Sequence, residues 1–217
     1  GLEIIVDKKI NNLKEFYGNE HTSFGTALHE VCEKAVLKKV ELNQKVLEDL
    51  FNATFLQELN ELKEKNVSLN KKLIQDMRPQ ASGIIPHIMP ALEKTFGKYE
   101  VYSAEEEIYE NVENHNKKYK GFIDLVLKTE DGKYHVIDWK TCSWGWDSRR
   151  KNDKITTYQL AYYKYFFSKK HNIPLEDIDT HFALLKRTAK TNRVEIFKVA
   201  CGNKKIDNSI KLLEKAV

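Results

Sequence analysis

Two aspartates and a lysine stand out because they interrupt apolar sequence. Asp124 lies within Gly121-Phe122-Ile123-Asp124-Leu125-Val126-Leu127. Asp138 and Lys140 lie within Val136-Ile137-Asp138-Trp139-Lys140-Thr141, and Glu130-Asp131-Gly132 stands between the two stretches. A carboxylate inside such strand sequence is costly unless something compensates for its lost hydration. Register decides whether the aspartates meet. A two-residue Asp131-Gly132 turn pairs Glu130 with Lys133 and sends them to opposite faces. A three-residue turn pairs Thr129 with Lys133, sets Asp124 opposite Asp138 and gives Gly132 the left-handed position such turns favour. The second register is expected, because it gathers the costly groups in one place. Alternation then puts Lys140 on the face of Asp138. Carboxylates with β-carbons ~4.5–5.5 Å apart repel unless a cation lies between them, and a hard divalent ion such as Mg²⁺ takes such oxygen ligands. Lys140 could hold an attacking water or offset charge on a phosphate oxygen. The competing reading is an exposed Asp138–Lys140 pair on a half-solvated strand, with Asp124 at a strand end.

Other residues could serve the same centre. Within Glu105-Glu106-Glu107, alternation sends Glu105 and Glu107 to one face, and Glu107 is taken as the further metal ligand; the plain alternative is a solvated acidic edge. Trp144-Gly145-Trp146, followed by Arg149, Arg150, Lys151 and Lys154, interleaves aromatic and basic residues. That pattern suits single-stranded nucleic acid, with bases stacked on rings and phosphates met by cations. Its alternative is a pair of tryptophans that cover the core. Lys186 and Arg187 end a strand and are placed against a phosphate backbone.

These residues need elements to position them. Residues 24–75 carry apolar positions at three- and four-residue steps and read as helical, with Ser23 as the first N-cap and a break near Asn66 and Ser68. A further helix is expected over 83–96, stopped by Gly97, with Pro86 and Pro90 in its first half. Residues 99–112, 118–129 and 134–141 read as strands, 154–171 as a helix, 181–186 and 193–200 as strands, and 204–215 as a closing helix. The order suggests one α/β domain over 1–217, mainly helical through residue 98, with an αβ core over 99–217.

At 217 residues, 41% hydrophobic and 31% charged, the chain can bury a sizeable core. No apolar run approaches the ~18 residues of a membrane span, and no signal-peptide pattern opens the sequence. Cys32, Cys142 and Cys201 are odd in number and far apart, a poor framework for disulfides, zinc or an iron–sulfur cluster. A reducing, intracellular setting is expected. Charge is uneven: residues 1–147 hold 20 Lys/Arg against 25 Asp/Glu, and residues 148–217 hold 16 against 7. A basic C-terminal third beside a carboxylate-rich middle suits a polyanion surface next to a metal site.

Taken together, the chain resembles the PD-(D/E)XK nuclease superfamily, in its RecB-like branch. Asp124 and Asp138-Trp139-Lys140 match the Asp…(Asp/Glu)-x-Lys core. Gly25-Thr26-Ala27-Leu28-His29 resembles the GxxxH helix motif, and Gln159-Leu160-Ala161-Tyr162-Tyr163 resembles the QxxxY motif. The elements occur in family order over residues 24–167, and in compactness the chain is similar to stand-alone phage nucleases and mitochondrial genome maintenance exonucleases. The resemblance implies a restriction-endonuclease-like α/β core, a mixed sheet flanked by helices, with an N-terminal helical part. It implies Mg²⁺ or Mn²⁺ held by His29, Asp124, Asp138 and the Trp139 carbonyl, with Lys140 activating water. Gln159 and Tyr163 would contact Lys140 or the DNA backbone. Imidazole at His29 suits Mn²⁺ as well as Mg²⁺. The cysteine spacing departs from the cluster-bearing relatives, so no iron–sulfur cluster is expected. The implied activity is hydrolysis of DNA, from ends or on single strands, in replication, recombination or repair. A non-catalytic nucleic-acid-binding derivative, an endonuclease and an RNA-directed nuclease stay open as alternatives.

Overall fold

The computed structural model describes residues 17–113 and 115–216. Helix α1 (Glu20–Val36) starts ahead of the expected Ser23 cap. Asn19 is the cap: its side chain accepts from the Thr22 N–H at 3.0 Å, and the Thr22 hydroxyl accepts from the Asn19 N–H at 2.9 Å. This reciprocal arrangement satisfies two otherwise unpaired donors, and Ser23 is buried inside the helix. The helical stretch expected over 24–75 is three helices: α1, α2 (Gln44–Glu64) and α3 (Lys71–Ile84). Lys38 takes a left-handed φ of 52° just past α1, a break that apolar periodicity alone did not reveal; Asn66, with φ 59°, makes the expected one. Pro79 is accommodated within α3, and Pro86 lies in the short 3₁₀ turn Ile85–His87. Pro90 falls in the first turn of α4 (Ile88–Phe96), where a missing N–H costs little, and Gly97 ends that helix at φ 65°.

Five strands follow: β1 (Tyr99–Asn111), β2 (Lys118–Thr129), β3 (Tyr134–Cys142), β4 (Ile178–Lys186) and β5 (Val194–Val199). They lie in the order β1-β2-β3-β4-β5, and only the β3–β4 pair is parallel. A parallel pair requires a crossover, here α5 (Ser148–Lys151) and α6 (Lys154–His171). Helix α7 (Asn203–Ala216) packs beside α6. One apolar core joins Phe24, Leu28, Phe51 and Phe55 of the N-terminal helices to Leu125, Ile137 and Trp139. The other joins Leu160, Phe166 and Phe167 of α6 to Val136, Phe182 and Leu184. The fold is thus a mixed sheet between helical layers, the α/β arrangement expected.

The β2–β3 hairpin turns over Glu130-Asp131-Gly132. The Thr129 N–H donates to the Lys133 carbonyl at 3.0 Å, Gly132 has φ 82°, and the ladder runs from Lys128↔Tyr134 to Leu125↔Ile137. This is the three-residue register, so the next position sets Asp124 opposite Asp138. The ladder stops there. Alternation from the Thr129–Lys133 pair would give the Trp139 N–H to the Ile123 carbonyl. Instead, Asp124 Oδ2 accepts it at 2.8 Å. Beyond this point β2 stays with β1, as far as Asn111↔Lys118, while β3 stays with β4. The sheet therefore forks at the two aspartates, and a carboxylate caps the open ladder.

Candidate metal and nucleic-acid site

Strand β1 brings a third carboxylate to the fork. Val101 pairs with Leu127 but Ser103 with Val126, so Tyr102 is an extra residue. This bulge shifts the register by one. Glu105 consequently falls opposite Asp124, between the pairs Ala104↔Leu125 and Glu106↔Ile123. Without the bulge, Ala104 would stand there. Glu105 also has φ 50°, a left-handed conformation uncommon for a residue with a Cβ. Such strain costs on the order of 1–3 kcal/mol and gathers at functional sites. Glu105, Asp124 and Asp138 thus form a row across three adjacent strands.

Helix α1 reaches the row because Gly25 allows close approach. A Cβ on Gly25 would stand 3.3 Å from Thr141 Oγ1 on β3. One turn later, His29 Nδ1 lies 3.9 Å from Asp124 Oδ1. Ligand atoms of His29, Glu105 and Asp124 all lie within 4.8 Å of one another. Asp138 borders this group. It is buried, with Oδ2 2.9 Å from Lys140 Nζ, yet the contact is misaligned as a hydrogen bond and that oxygen has no hydrogen-bond partner.

Glu107, selected from sequence as a ligand, stands elsewhere. It is exposed on the far side of the fork, 3.8 Å from Lys120 Nζ. The bulge and the turned backbone at Glu105 bring Glu105 into the cluster in its place. The long β1–β2 connection left that register unreadable from sequence.

Like charges make the cluster unstable as a set of free anions. Burial, then the charges of Asp138 and Glu105, hold the Asp124 carboxyl well above the usual carboxylate range, against the Trp139 N–H and Lys140. Burial and the neighbouring Glu33 push Glu105 up as well. About a third of the His29 side chain is accessible, yet burial lowers its pKa against the pull of Asp138. A neutral imidazole is the form that can ligate a metal.

Helix α6 closes the other side. Gln159 Nε2 donates to the Tyr163 hydroxyl at 3.1 Å, and both side chains are buried. Burial first, then the Asp138 charge, raises the Tyr163 phenol far above its ordinary range. At 1% exposure Tyr163 is screened from a DNA backbone, so its neighbour in the site is Asp138.

The basic and aromatic residues divide. Trp144 is 76% exposed, and Arg149 and Arg150 are exposed on α5. Trp146 is buried on Phe182 and Phe197 with Arg150 4.8 Å above its ring, which corrects its assignment as a base platform. Lys186 is also buried, its Nζ 2.6 Å from Glu195 Oε1 and close under Gly145, which corrects its assignment to a phosphate backbone. Its charge is neutralised inside the fold, where it supports the 143–147 loop. Arg187 is half-buried and donates to Gln80 and Ser143. It lines a cavity of 470 Å³ at the end of β3 with His21, Phe24, Trp144 and Arg150.

The family profile of the PD-(D/E)XK nuclease superfamily matches residues 8–213, and the chain belongs to that superfamily. Among solved structures, it is similar to a candidate exonuclease from Eubacterium rectale, with a TM-score of 0.54 at 13% identity. The match covers 93% of this chain and 66% of that one, so the chain spans just under two thirds of that protein's length. A likeness at this identity is one of fold. The protein SSO0001 matches with a TM-score of 0.39 at 16% identity, over 94% of this chain and 77% of that one. No curated protein matches the sequence significantly. Among the described residues, no helix is long and apolar enough to cross a membrane.

Proposed function

We propose that this member of the nuclease superfamily is a metal-dependent deoxyribonuclease of the RecB-like branch, an intracellular exonuclease acting on DNA ends or single strands. One observation carries the reading: three carboxylates stand in a row across β1, β2 and β3, with Lys140 beside Asp138 and His29 against Asp124. The donors fit a hard divalent cation. Asp138 Oδ2 is buried and lacks a hydrogen bond, and the charges of Asp138 and Glu105 raise the cost of ionising Asp124. His29, Glu105, Asp124 and Asp138 would hold Mg²⁺ or Mn²⁺, with the Trp139 carbonyl adjoining. When bound, such an ion neutralises charge on the scissile phosphate and makes a water more acidic.

The chain's own residues do the remainder. The Lys140 ammonium is partly exposed at the fork, where it can meet a phosphate oxygen and orient a water. Gln159 donates to Tyr163, so the Tyr163 hydroxyl keeps its proton to offer, and Asp138 is the nearby anion. Trp144, Arg150 and Arg187 offer ring and cation contacts to a strand at the cavity beyond β3, and Arg149 is exposed on α5 next to Arg150. The preference for DNA over RNA, and for ends over internal sites, rests on the motif resemblance.

Digestion of end-labelled single- and double-stranded DNA and RNA, with free and blocked ends, tests the reading in Mg²⁺ or Mn²⁺. The expected result is metal-dependent loss of DNA with free ends, slowed by about 10²–10³ in Lys140→Ala, as for removal of an electrostatic catalytic group. Uncut DNA, with Lys140→Ala indistinguishable from the parent, contradicts it.

A further inference from the structure

Past the fork, β1 and β2 continue without β3 as a two-stranded arm, with pairs running from Glu106↔Ile123 to Asn111↔Lys118. One face of this arm packs on α6. Ile108, Tyr119 and Ile123 are buried there, and Tyr119 stacks on Phe166 with centroids 4.5 Å apart. The opposite face carries Tyr109 and Phe122, 55% and 37% exposed. Neither ring belongs to either apolar core. They lie diagonally across the ladder, since Glu107 pairs with Phe122 and Tyr109 with Lys120. A lysine stands over each ring: Lys118 Nζ is 4.5 Å from the Tyr109 centroid, and Lys120 Nζ is 5.8 Å from that of Phe122. Phe122 is two residues from Asp124, roughly 7 Å by the rise of a strand, and Tyr109 lies about one pleat period further out.

We propose that this face of the arm is a second substrate surface, which takes single-stranded nucleic acid leaving the carboxylate row. The inference rests on the nuclease reading and assigns the path of the strand. Two bases stack on Phe122 and Tyr109, and their phosphates meet Lys118 and Lys120. Every base has a π-face, so such platforms hold single strands of any sequence. A paired duplex offers no open base faces except at its end, so the surface favours unpaired strands. A base arriving on either ring displaces the ammonium there toward the phosphate that comes with it. Charge selects this occupant. Two lysines frame two isolated rings, and past the carboxylate row the one acid on that face of the paired strands is Glu107, 3.8 Å from Lys120, which suits a polyanion better than the contiguous apolar patch of a protein contact.

The test measures binding in chelator, so its outcome does not depend on whether the protein cuts DNA. Fluorescence anisotropy compares a labelled oligothymidine with a blunt duplex for the parent and for Tyr109→Ala/Phe122→Ala. The double substitution is expected to weaken single-strand binding by about 25-fold or more, at least about fivefold per ring, and to lower the preference for single strands over duplex. Tyr109→Trp/Phe122→Trp is expected to restore it. Lys118→Gln/Lys120→Gln, which leaves the rings in place, should flatten the slope of log affinity against log salt by about 1.4. Unchanged single-strand affinity and salt slope would overturn the proposal. So would a change from dimer to monomer in sedimentation with affinity unaltered, which would give the face to a second copy of the chain. Arm-dependent binding by a protein that cleaves nothing would leave this inference standing and remove the nuclease reading instead.

Discussion

Strands β2 and β3 bury an ionisable cluster at each end of their shared ladder, and the two are built in opposite ways. Near the hairpin turn, His135 Nδ1 meets His181 Nε2 at 3.0 Å, and the Thr129 hydroxyl meets His135 Nε2 at 3.0 Å. Phe96 packs against both rings, with centroids 4.9 and 5.0 Å away. Burial first, then the neighbouring His135, pushes His181 down to about 3, and burial lowers His135 too. Both histidines therefore avoid burying a charge by staying neutral and bonding to each other, although His181 Nδ1 is left without a hydrogen bond. At the fork, Glu105, Asp124 and Asp138 have no such escape. The charges of Asp138 and Glu105 make Asp124 harder to ionise, an Asp138 oxygen lacks a hydrogen bond, and the Glu105 backbone is turned into a left-handed conformation. Stability alone does not select a row of like charges with a strained backbone, and such arrangements mark functional sites. The contrast separates a polar cluster that holds the fold from one kept ready for a cation.

The sharpest way to break this comparison is to disarm the fork. Lys140→Ala and Asp138→Asn are each expected to reduce metal-dependent cleavage by about 10²–10³ or more in initial rates. In chelator, Asp138→Asn is expected to melt no lower than the parent by calorimetry, because it removes a repelling charge. A large loss of stability with cleavage intact would place Asp138 among the structural groups.

The histidine pair gives the next largest effect, and its sign is fixed by linkage. Its folded pKa values are depressed, so between about 6.5 and 3 the unfolded chain binds more protons, and stability falls as pH is lowered through that window. The loss attributable to His181 is up to about 3–5 kcal/mol by urea unfolding at stepped pH. His181→Phe should flatten that slope. The fork acids have raised folded pKa values and act in the opposite sense, contributing stability while protonated and losing it as pH rises.

A smaller effect distinguishes two neighbouring glutamates. Glu105→Gln is expected to lower Mn²⁺ affinity by about tenfold or more, a typical loss when a group supporting a metal site is removed. Glu107→Gln should leave that affinity within about twofold. The reverse outcome, read by titration calorimetry, would restore Glu107 as the ligand. Smallest is Trp144→Ala, expected to weaken single-strand binding by about five- to tenfold, the contribution of one stacked base.

What could be read from sequence follows the length of the connections. The Glu130-Asp131-Gly132 turn is short enough to leave two registers, and the cost of separating two carboxylates decides between them, so the meeting of Asp124 and Asp138 is legible in the sequence. The β1–β2 connection is longer, and the Tyr102 bulge shifts the pairing by one residue. The sequence offers the Glu105-Glu106-Glu107 triplet, and the bulge selects Glu105 from it. Exposure was the other hidden quantity. Trp144 and Trp146 differ by one glycine in sequence, yet one faces solvent and the other lies on Phe182. Lys186 and Arg187 are adjacent, yet one is neutralised by Glu195 and the other lines the cavity. Alternation at the end of β4 separates Lys186 from Arg187, whereas Trp144 and Trp146 lie in the loop after β3, where packing alone decides which ring is wet. The helical half was legible as helix, while its division at Lys38 was not, because the apolar spacing runs on through the break.

Calorimetric titration of Mn²⁺ into the parent protein and into Asp124→Asn, at neutral pH, bears most directly on the role of the fork. Saturable binding by the parent, lost or weakened at least about tenfold in the variant while both melt cooperatively, is the result expected. Equal isotherms for the two proteins, or no binding by either, would contradict it.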